Sequence, residues 1–273
     1  MDRRLILHVT DCHLLANRGE NFLGVDTHKN FAAVLHYVKN VEKVAPDLIV
    51  LGGDLIQHDA KHNEEDYLAV YADVAERLKV FDCPVTCTFG NHDIPDIANK
   101  VFADFPNMSL GDFNALGNWN IVLLNTHWEN HVNGFVSDSE LHRLRRVLRK
   151  VGEQNIAIFM HHQLLPIQAD WLDKIRVDNS VAVLAQILTD DRIKLVVAGH
   201  VHQDTAKLHY DKWFLTTPAT AFQFASNAVE FKLANDMPGC RLMILNDDGS
   251  FETKVLRLPF DPGMLPDFSV KGY

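Results

Sequence analysis

The chemistry-bearing residues of this 273-residue chain fall into five short blocks: Asp11-Cys12-His13, Gly52-Gly53-Asp54, Gly90-Asn91-His92-Asp93, His161-His162 and Gly199-His200-Val201-His202. Asp11, Asp54, Asn91, His13, His161, His200 and His202 together offer a mixed set of oxygen and nitrogen donors. Such a set suits Mn, Fe, Co or Zn better than Ca or Mg, whose shells are all oxygen. These donors exceed what one tetrahedral ion takes, and they suffice for two ions about 3.5–4 Å apart if one carboxylate bridges. In Asp11-x-His13 and His200-x-His202, residues two apart on an extended segment project the same way, so each pair is expected to address a common point. Glycine before Asp54, Asn91 and His200 fits sharp turns.

Each block follows a short apolar run: Leu5 to Val9, Leu48 to Leu51, Val85 to Phe89, Ile156 to Met160 and Leu195 to Ala198, with a further run at Ile121 to Leu124. The runs are continuous rather than alternating, which predicts strands buried on both faces. Between them, Asp26 to Ala45 repeats Phe31, Val34, Leu35, Val38 and Val41 at helical spacing and stops at Pro46. Asn63 to Lys79 carries a second apolar stripe, with Leu68, Tyr71, Val74 and Leu78 on one side. Ser137 and Glu140 predict a capping box opening a third helix that runs to Gly152, and Val181 to Leu188 predicts a fourth. Gly239 to Leu245, the turn Asp247-Asp248-Gly249, and Ser250 to Leu258 predict a terminal β-hairpin. Strands alternating with helices argue for a layered α/β fold of mixed sheets flanked by helices. No linker or internal repeat splits the chain, so residues 1–273 are expected to form one domain. Open α/β sheets place their sites beyond the carboxyl ends of strands, so the five blocks can converge there.

Lys and Arg number 26 against 36 Asp and Glu, a formal charge of −10, and 47% of residues are hydrophobic. That composition is ordinary for a globular protein and disfavours a duplex nucleic-acid binder that relies on phosphate neutralisation. Cys12, Cys83, Cys87 and Cys240 are too few and too scattered for a disulfide framework, and Cys83 and Cys87 lack the second pair that a structural zinc site needs. They are expected to be reduced thiols in the cytoplasm. No apolar segment is long enough for a signal-peptide core or a membrane span.

Taken in order, the five blocks resemble those of the calcineurin-like metallophosphoesterases. The resemblance implies a sandwich of mixed β-sheets flanked by helices, with two divalent ions per chain, Fe or Mn ahead of Zn or Co. It further implies that Asp11, His13, Asp54 and His202 hold one ion, that Asp54, Asn91, His161 and His200 hold the other, and that His92 is catalytic without being a ligand. Substrate would lie against His13, Asp54, Asn91, His92 and His202. More narrowly, Phe22 to Thr27, Trp171-Leu172-Asp173, Thr217 to Thr220 with Gln223-Phe224, and the Gly272-Tyr273 end are similar to bacterial class III cyclic nucleotide phosphodiesterases acting on 3′,5′-cyclic AMP. Two departures stand out. Gln163-Leu164-Leu165-Pro166 places its proline late after the histidines, and Gln57 stands where protein phosphatases of the family carry another aspartate.

The resemblance therefore implies hydrolysis of cyclic AMP to 5′-AMP by a metal-bridging hydroxide, with His92 protonating the departing oxygen. Glycerophosphodiesters or another small nucleotide are the alternative substrates, and a non-catalytic scaffold of the same fold is the remaining alternative. The expected partners are a small cyclic nucleotide and at most a second copy of the chain, with no nucleic acid and no membrane. Among the remaining candidates, His8 reads as a packed ring with its hydrogen bonds met, and Cys12 as filler pointing away from the ligands. His162 and Asp93 read either as partners that orient the site or as structural residues. Phe222, Phe224 and Phe231 read as core, or as a platform for a purine.

Overall fold

In the computed structural model, which describes residues 3–109, 111, 113–262 and 265–272, each of the six apolar runs becomes a strand. The elements are β1 (Arg3–Val9), α1 (Thr27–His36), β2 (Leu48–Leu51), α2 (Glu64–Leu78), β3 (Val85–Cys87), α3 (Pro95–Phe102), β4 (Met108–Ser109), β5 (Phe113–Leu116), β6 (Trp119–Leu123) and α4 (Asp138–Lys150). Then follow β7 (Asn155–Met160), α5 (Asp170–Asp173), α6 (Ser180–Leu188), β8 (Ile193–Ala198), β9 (Ala206–His209), β10 (Lys212–Thr216), β11 (Gln223–Phe224), β12 (Leu233–Ala234), β13 (Gly239–Asn246) and β14 (Phe251–Arg257). Tyr273 lies outside the described residues.

Two six-stranded sheets form, in the orders β14-β13-β1-β2-β3-β4 and β5-β6-β7-β8-β10-β9. Their facing sides share one apolar layer containing Ile6, Val50, Ile121, Phe159, Val197 and Met243. The outer face of the first sheet packs on α1, α2 and α3 through residues such as Leu7, Phe31, Tyr71 and Phe102. The outer face of the second packs on α4 and α6 through Ile158, Leu144, Val183 and their neighbours. Both faces of β2 and β7 are therefore covered, which is why their sequences are continuously apolar. The strands β1, β2 and β3 run parallel, as do β6, β7 and β8, so the ligand blocks leave each sheet on one side.

Several local expectations are corrected. The helix after Asp26 is α-helical only to His36 and continues as a π-helical turn over Tyr37–Val41, closed by Glu42 N donating to Tyr37 O. The wider turn carries Val41 off the apolar stripe, leaving it 57% exposed while Val38 stays buried. Only half of the Ser137 capping box forms, because Glu140 instead accepts from Asn125 N and Arg143. The full box is at Asn63 and Asp66. The third run ends as a strand at Cys87, freeing Thr88 and Phe89 to lead into Gly90. The hairpin forms as expected, with Gly249 at φ +87°, and β13 pairs antiparallel with β1. The helix α3 and the β9–β10 hairpin lie outside the elements that the sequence pattern predicts. Among the described residues, no helix is long and apolar enough to cross a membrane.

Candidate metal centre

Backbone hydrogen bonds tie the blocks directly to one another. Asp11 N donates to Gly53 O at 2.9 Å and His13 N to Asp54 O at 3.0 Å. His92 N donates to Asp54 Oδ1 at 2.8 Å, Gly199 N to His161 O at 3.0 Å, and His200 N to Asp11 Oδ2 at 3.0 Å. Such close approach leaves no room for side chains between the loops. A Cβ at Gly90 would collide with the Asp54 carboxylate and the His161 ring, and one at Gly199 with Thr10 and Asp11.

The donors gather into overlapping groups whose ligand atoms lie within 4.8 Å of each other: Asp11, His13 and His202; Asp11, Asp54 and His161; His13, Asp54 and His92; His161, His162 and His200. His202 Nε2 is 3.2 Å from Asp11 Oδ1, and His161 Nε2 is 3.2 Å from Asp54 Oδ2. The expectation of extended segments fails here. Asp11, His13, Asp54, His200 and His202 all take left-handed backbone, with φ between 45° and 65°. This conformation is costly for residues with a Cβ and persists where surrounding bonds enforce it. It parts the second pair, so that His202 joins Asp11 and His13 while His200 faces His161 and His162.

Each ring is fixed from behind. His161 Nδ1 lies 2.7 Å from Gly52 O, His202 Nδ1 2.7 Å from Phe222 O, and His13 Nδ1 2.8 Å from Gln57 Oε1. A neutral imidazole has one N–H, and these acceptors place it on Nδ1, so each Nε2 offers a lone pair to the centre once its ring is neutral, the form that binds a metal ion. His13 Nε2 and His202 Nε2 then face each other at 3.1 Å with no proton between them. Two lone pairs and an adjacent carboxylate in that arrangement call for a cation. His200 Nε2 is likewise buried without a hydrogen-bond partner. The donor set thus fits bound divalent metal.

Comparison with known proteins agrees with this geometry. The calcineurin-like phosphoesterase family model matches residues 4–204, a span holding all five blocks. The chain belongs to the calcineurin-like phosphoesterases. It is 31% identical to the 3′,5′-cyclic adenosine monophosphate phosphodiesterase CpdA of Haemophilus influenzae, over 98% of this chain and 94% of that protein. It is 29% identical to a 3′,5′-cyclic-nucleotide phosphodiesterase of Nostoc sp., over 97% of this chain and 96% of that protein. A dimetal phosphatase from Danio rerio shares the fold, with a TM-score of 0.61 at 17% identity, covering 93% of this chain and 98% of that one.

Around the donors, this phosphoesterase adds residues that sequence reasoning left open or missed. Asn91 Oδ1 meets His162 Nε2 at 3.2 Å, and Thr126 Oγ1 sits 2.9 Å from His162 Nδ1, so His162 orients Asn91 as well as lining the centre. Asp93 reaches no histidine ring. It accepts from Leu55 N, Gly90 N and the Tyr71 hydroxyl, clamping the loops after β2 and β3 together. Gln57, at the position of the phosphatases' extra aspartate, holds the His13 ring. His127 anchors Gly90 O through Nδ1 at 2.8 Å; its sequence neighbourhood carries no motif that would have found it. Thr220 N and Ala221 N donate to Thr10 O and Asp11 O, which explains the Thr217 block as a brace for the first loop. Phe222 and Phe224 are buried against the His202 ring and offer no open platform. Cys12 packs in the apolar core. His8 bonds Thr217 at Nδ1, but its Nε2 has no partner.

The electrostatics follow from burial and crowding. Burial opposes ionisation of Asp11, yet His202 and His161 beside it hold its carboxyl at about 2. Burial pushes His13 down to about 3 and lowers His92. At His161 burial also opposes charge, but Asp54 and Asp11 outweigh it and raise the ring to about 9. Asp93 is raised to about 7 by burial and by Asp54.

Proposed function

We propose that this phosphoesterase is a binuclear metal phosphodiesterase that hydrolyses 3′,5′-cyclic AMP to 5′-AMP, with residues 1–273 acting as one domain. The observation that carries the reading is its end-to-end correspondence with proteins named for that activity, spanning 98% of this chain and 94% of the Haemophilus protein. Four free cysteines accord with a cytoplasmic location.

Asp11, His13, Asp54 and His202 would hold one ion and Asp54, Asn91, His161 and His200 the other, Fe or Mn foremost. Bound there, the ions would acidify water to a nucleophile and neutralise phosphate oxygens. The chain's own residues supply order and a proton. Gly52 O, Phe222 O and Gln57 keep the rings turned inward, so the donor geometry is set before substrate arrives. The Asp54 carboxylate fixes the His92 backbone, which carries its half-buried ring beside His13, with centroids 5.1 Å apart. From there the protonated form of His92, which burial disfavours, donates its proton to the ribose O3′ as the O3′–phosphorus bond breaks, while water gives its oxygen to phosphorus and releases a proton. The 5′ ester remains, and the product is 5′-AMP.

The test is a chromatographic product assay of metal-loaded protein against cyclic AMP, glycerophosphodiesters and phosphomonoesters. Release of 5′-AMP, with diesters cut well ahead of monoesters, is the expected result. Glycerophosphodiesters outrunning cyclic AMP by more than about tenfold in kcat/KM would reassign the substrate.

A further inference from the structure

On the outer face of the second sheet, behind the strand ends that carry His161 and His200, lies a cavity of about 350 Å³. That volume falls at the small end of ligand pockets, which run from about 300 to 1,000 Å³. Its floor is a row across three strands, Met160 beside Ala198 beside Thr216, with Val196 beside Phe214 next along. The small Ala198 side chain leaves this floor low. One wall is the Gln163-Leu164-Leu165-Pro166 segment, whose late proline sets it apart from the family pattern, and Thr205, Ala206 and Lys207 line the other side.

Exposed Gln168 and Lys207 stand among the lining residues, while the buried and half-buried polar groups are Gln163, Thr205 and Thr216. Gln163 is 3% exposed; its Nε2 donates to Leu172 O at 3.0 Å, and its Oε1 is buried with no hydrogen-bond partner. The Thr216 hydroxyl donates to Gln203 O at 2.7 Å, so it must accept from Thr205 Oγ1 at 2.8 Å, leaving lone pairs on the Thr205 oxygen. Both groups therefore accept hydrogen bonds, and exposed Lys207 adds positive charge that disfavours a cation. A buried amide oxygen without a donor is a penalty that a ligand can remove.

We propose that this cavity is a second small-molecule site, separate from the metal centre, taking a neutral, largely apolar ligand whose N–H or O–H bonds to Gln163 Oε1. The apolar walls from Met160, Leu164, Leu165, Val196 and Phe214 take the body of the ligand, and the single buried acceptor sets its orientation.

The proposal is tested with 5-fluoroindole, an apolar ring bearing one N–H, titrated into the metal-loaded full chain and followed by fluorine NMR. Saturable broadening with a Kd below about 1 mM is expected, the range of a fragment-sized ligand. Ala206 is exposed at the mouth, so Ala206→Trp plugs the opening without entering the core and should weaken binding at least about tenfold. Gln163→Leu removes the acceptor and should weaken it about fivefold, one neutral hydrogen bond's worth. If that variant fails to fold, Ala206→Trp alone decides. No saturable effect, or binding that Ala206→Trp leaves unchanged, would mean the cavity holds only water and would overturn the proposal.

Discussion

The carboxylates of the centre all come from the first sheet, whereas the second contributes imidazoles alone. From β1, β2 and β3 come Asp11, Asp54 and Asn91 with His13 and His92, whereas β7 and β8 deliver His161, His162, His200 and His202 and no carboxylate. Each of two donor groups draws on both sheets: Asp11 and His13 with His202, and Asp11 and Asp54 with His161. Carboxylates neutralise a cation's charge while imidazoles offer neutral donors, and a mixed site needs both. Both donor groups that contain Asp11 are completed by a histidine of the second sheet. The dry layer between the sheets, with Ile6, Val50, Phe159 and Val197, is therefore what sets the relation of oxygen to nitrogen.

The largest expected effect comes from removing the carboxylate that the proposed assignment gives to both ions. Asp54→Ala should lower kcat for cyclic AMP by at least about 10³-fold and shed bound metal, measured by elemental analysis beside the assay. Retained metal and activity would show that Asp54 is not shared between the ions and that the remaining donors, Asp11 among them, suffice.

His92 comes next, since it belongs to the first sheet yet is assigned no metal. His92→Ala should slow cyclic AMP hydrolysis by about 10²- to 10⁴-fold, the usual contribution of a positioned acid, with metal content unchanged. Bis(p-nitrophenyl) phosphate, whose leaving group needs no proton, should be affected far less. Equal losses on both substrates would make His92 a phosphate-binding residue instead.

The pairing of His161 with the first sheet's carboxylates sets a pH dependence. With the ring raised to about 9, a proton occupies it at neutral pH in metal-free protein and must leave when an ion binds. Affinity for Mn should therefore climb by up to about tenfold per pH unit toward about 9 and level off above it. Calorimetric titration at several pH values checks this; a flat profile would remove the proton from His161.

The smallest effect isolates the bridge by which the second sheet steers the first sheet's Asn91. Thr126→Val deletes the hydroxyl that holds His162, and should raise the metal concentration for half-activity about fivefold with little change in saturated kcat. An unchanged metal requirement would make His162 a packing residue alone.

Much of this centre is legible in the chain because each donor block directly follows an apolar run. Strand type follows from continuous burial, and β2 and β8 match their runs to within two residues. Where the reading failed, a local rule met a non-local constraint. Val41 sits at helical spacing, yet a π turn closed by Glu42 rotates it outward. His200 and His202 sit at strand spacing, yet bonds from other loops hold them in left-handed backbone and send them to different groups. His127 and Thr126 belong to no block, and only packing brings them to Gly90 and His162.

The sequence by itself determined the donor types, their order, and the strands that must end in them, because periodicity and residue chemistry are properties of a few neighbouring positions. Only the tertiary structure decided which ring nitrogen faces the centre. That choice depends on acceptors far away along the chain, such as Gly52 O at 109 residues from His161, and a nitrogen turned inward by a distant carbonyl leaves no mark on its neighbours in sequence.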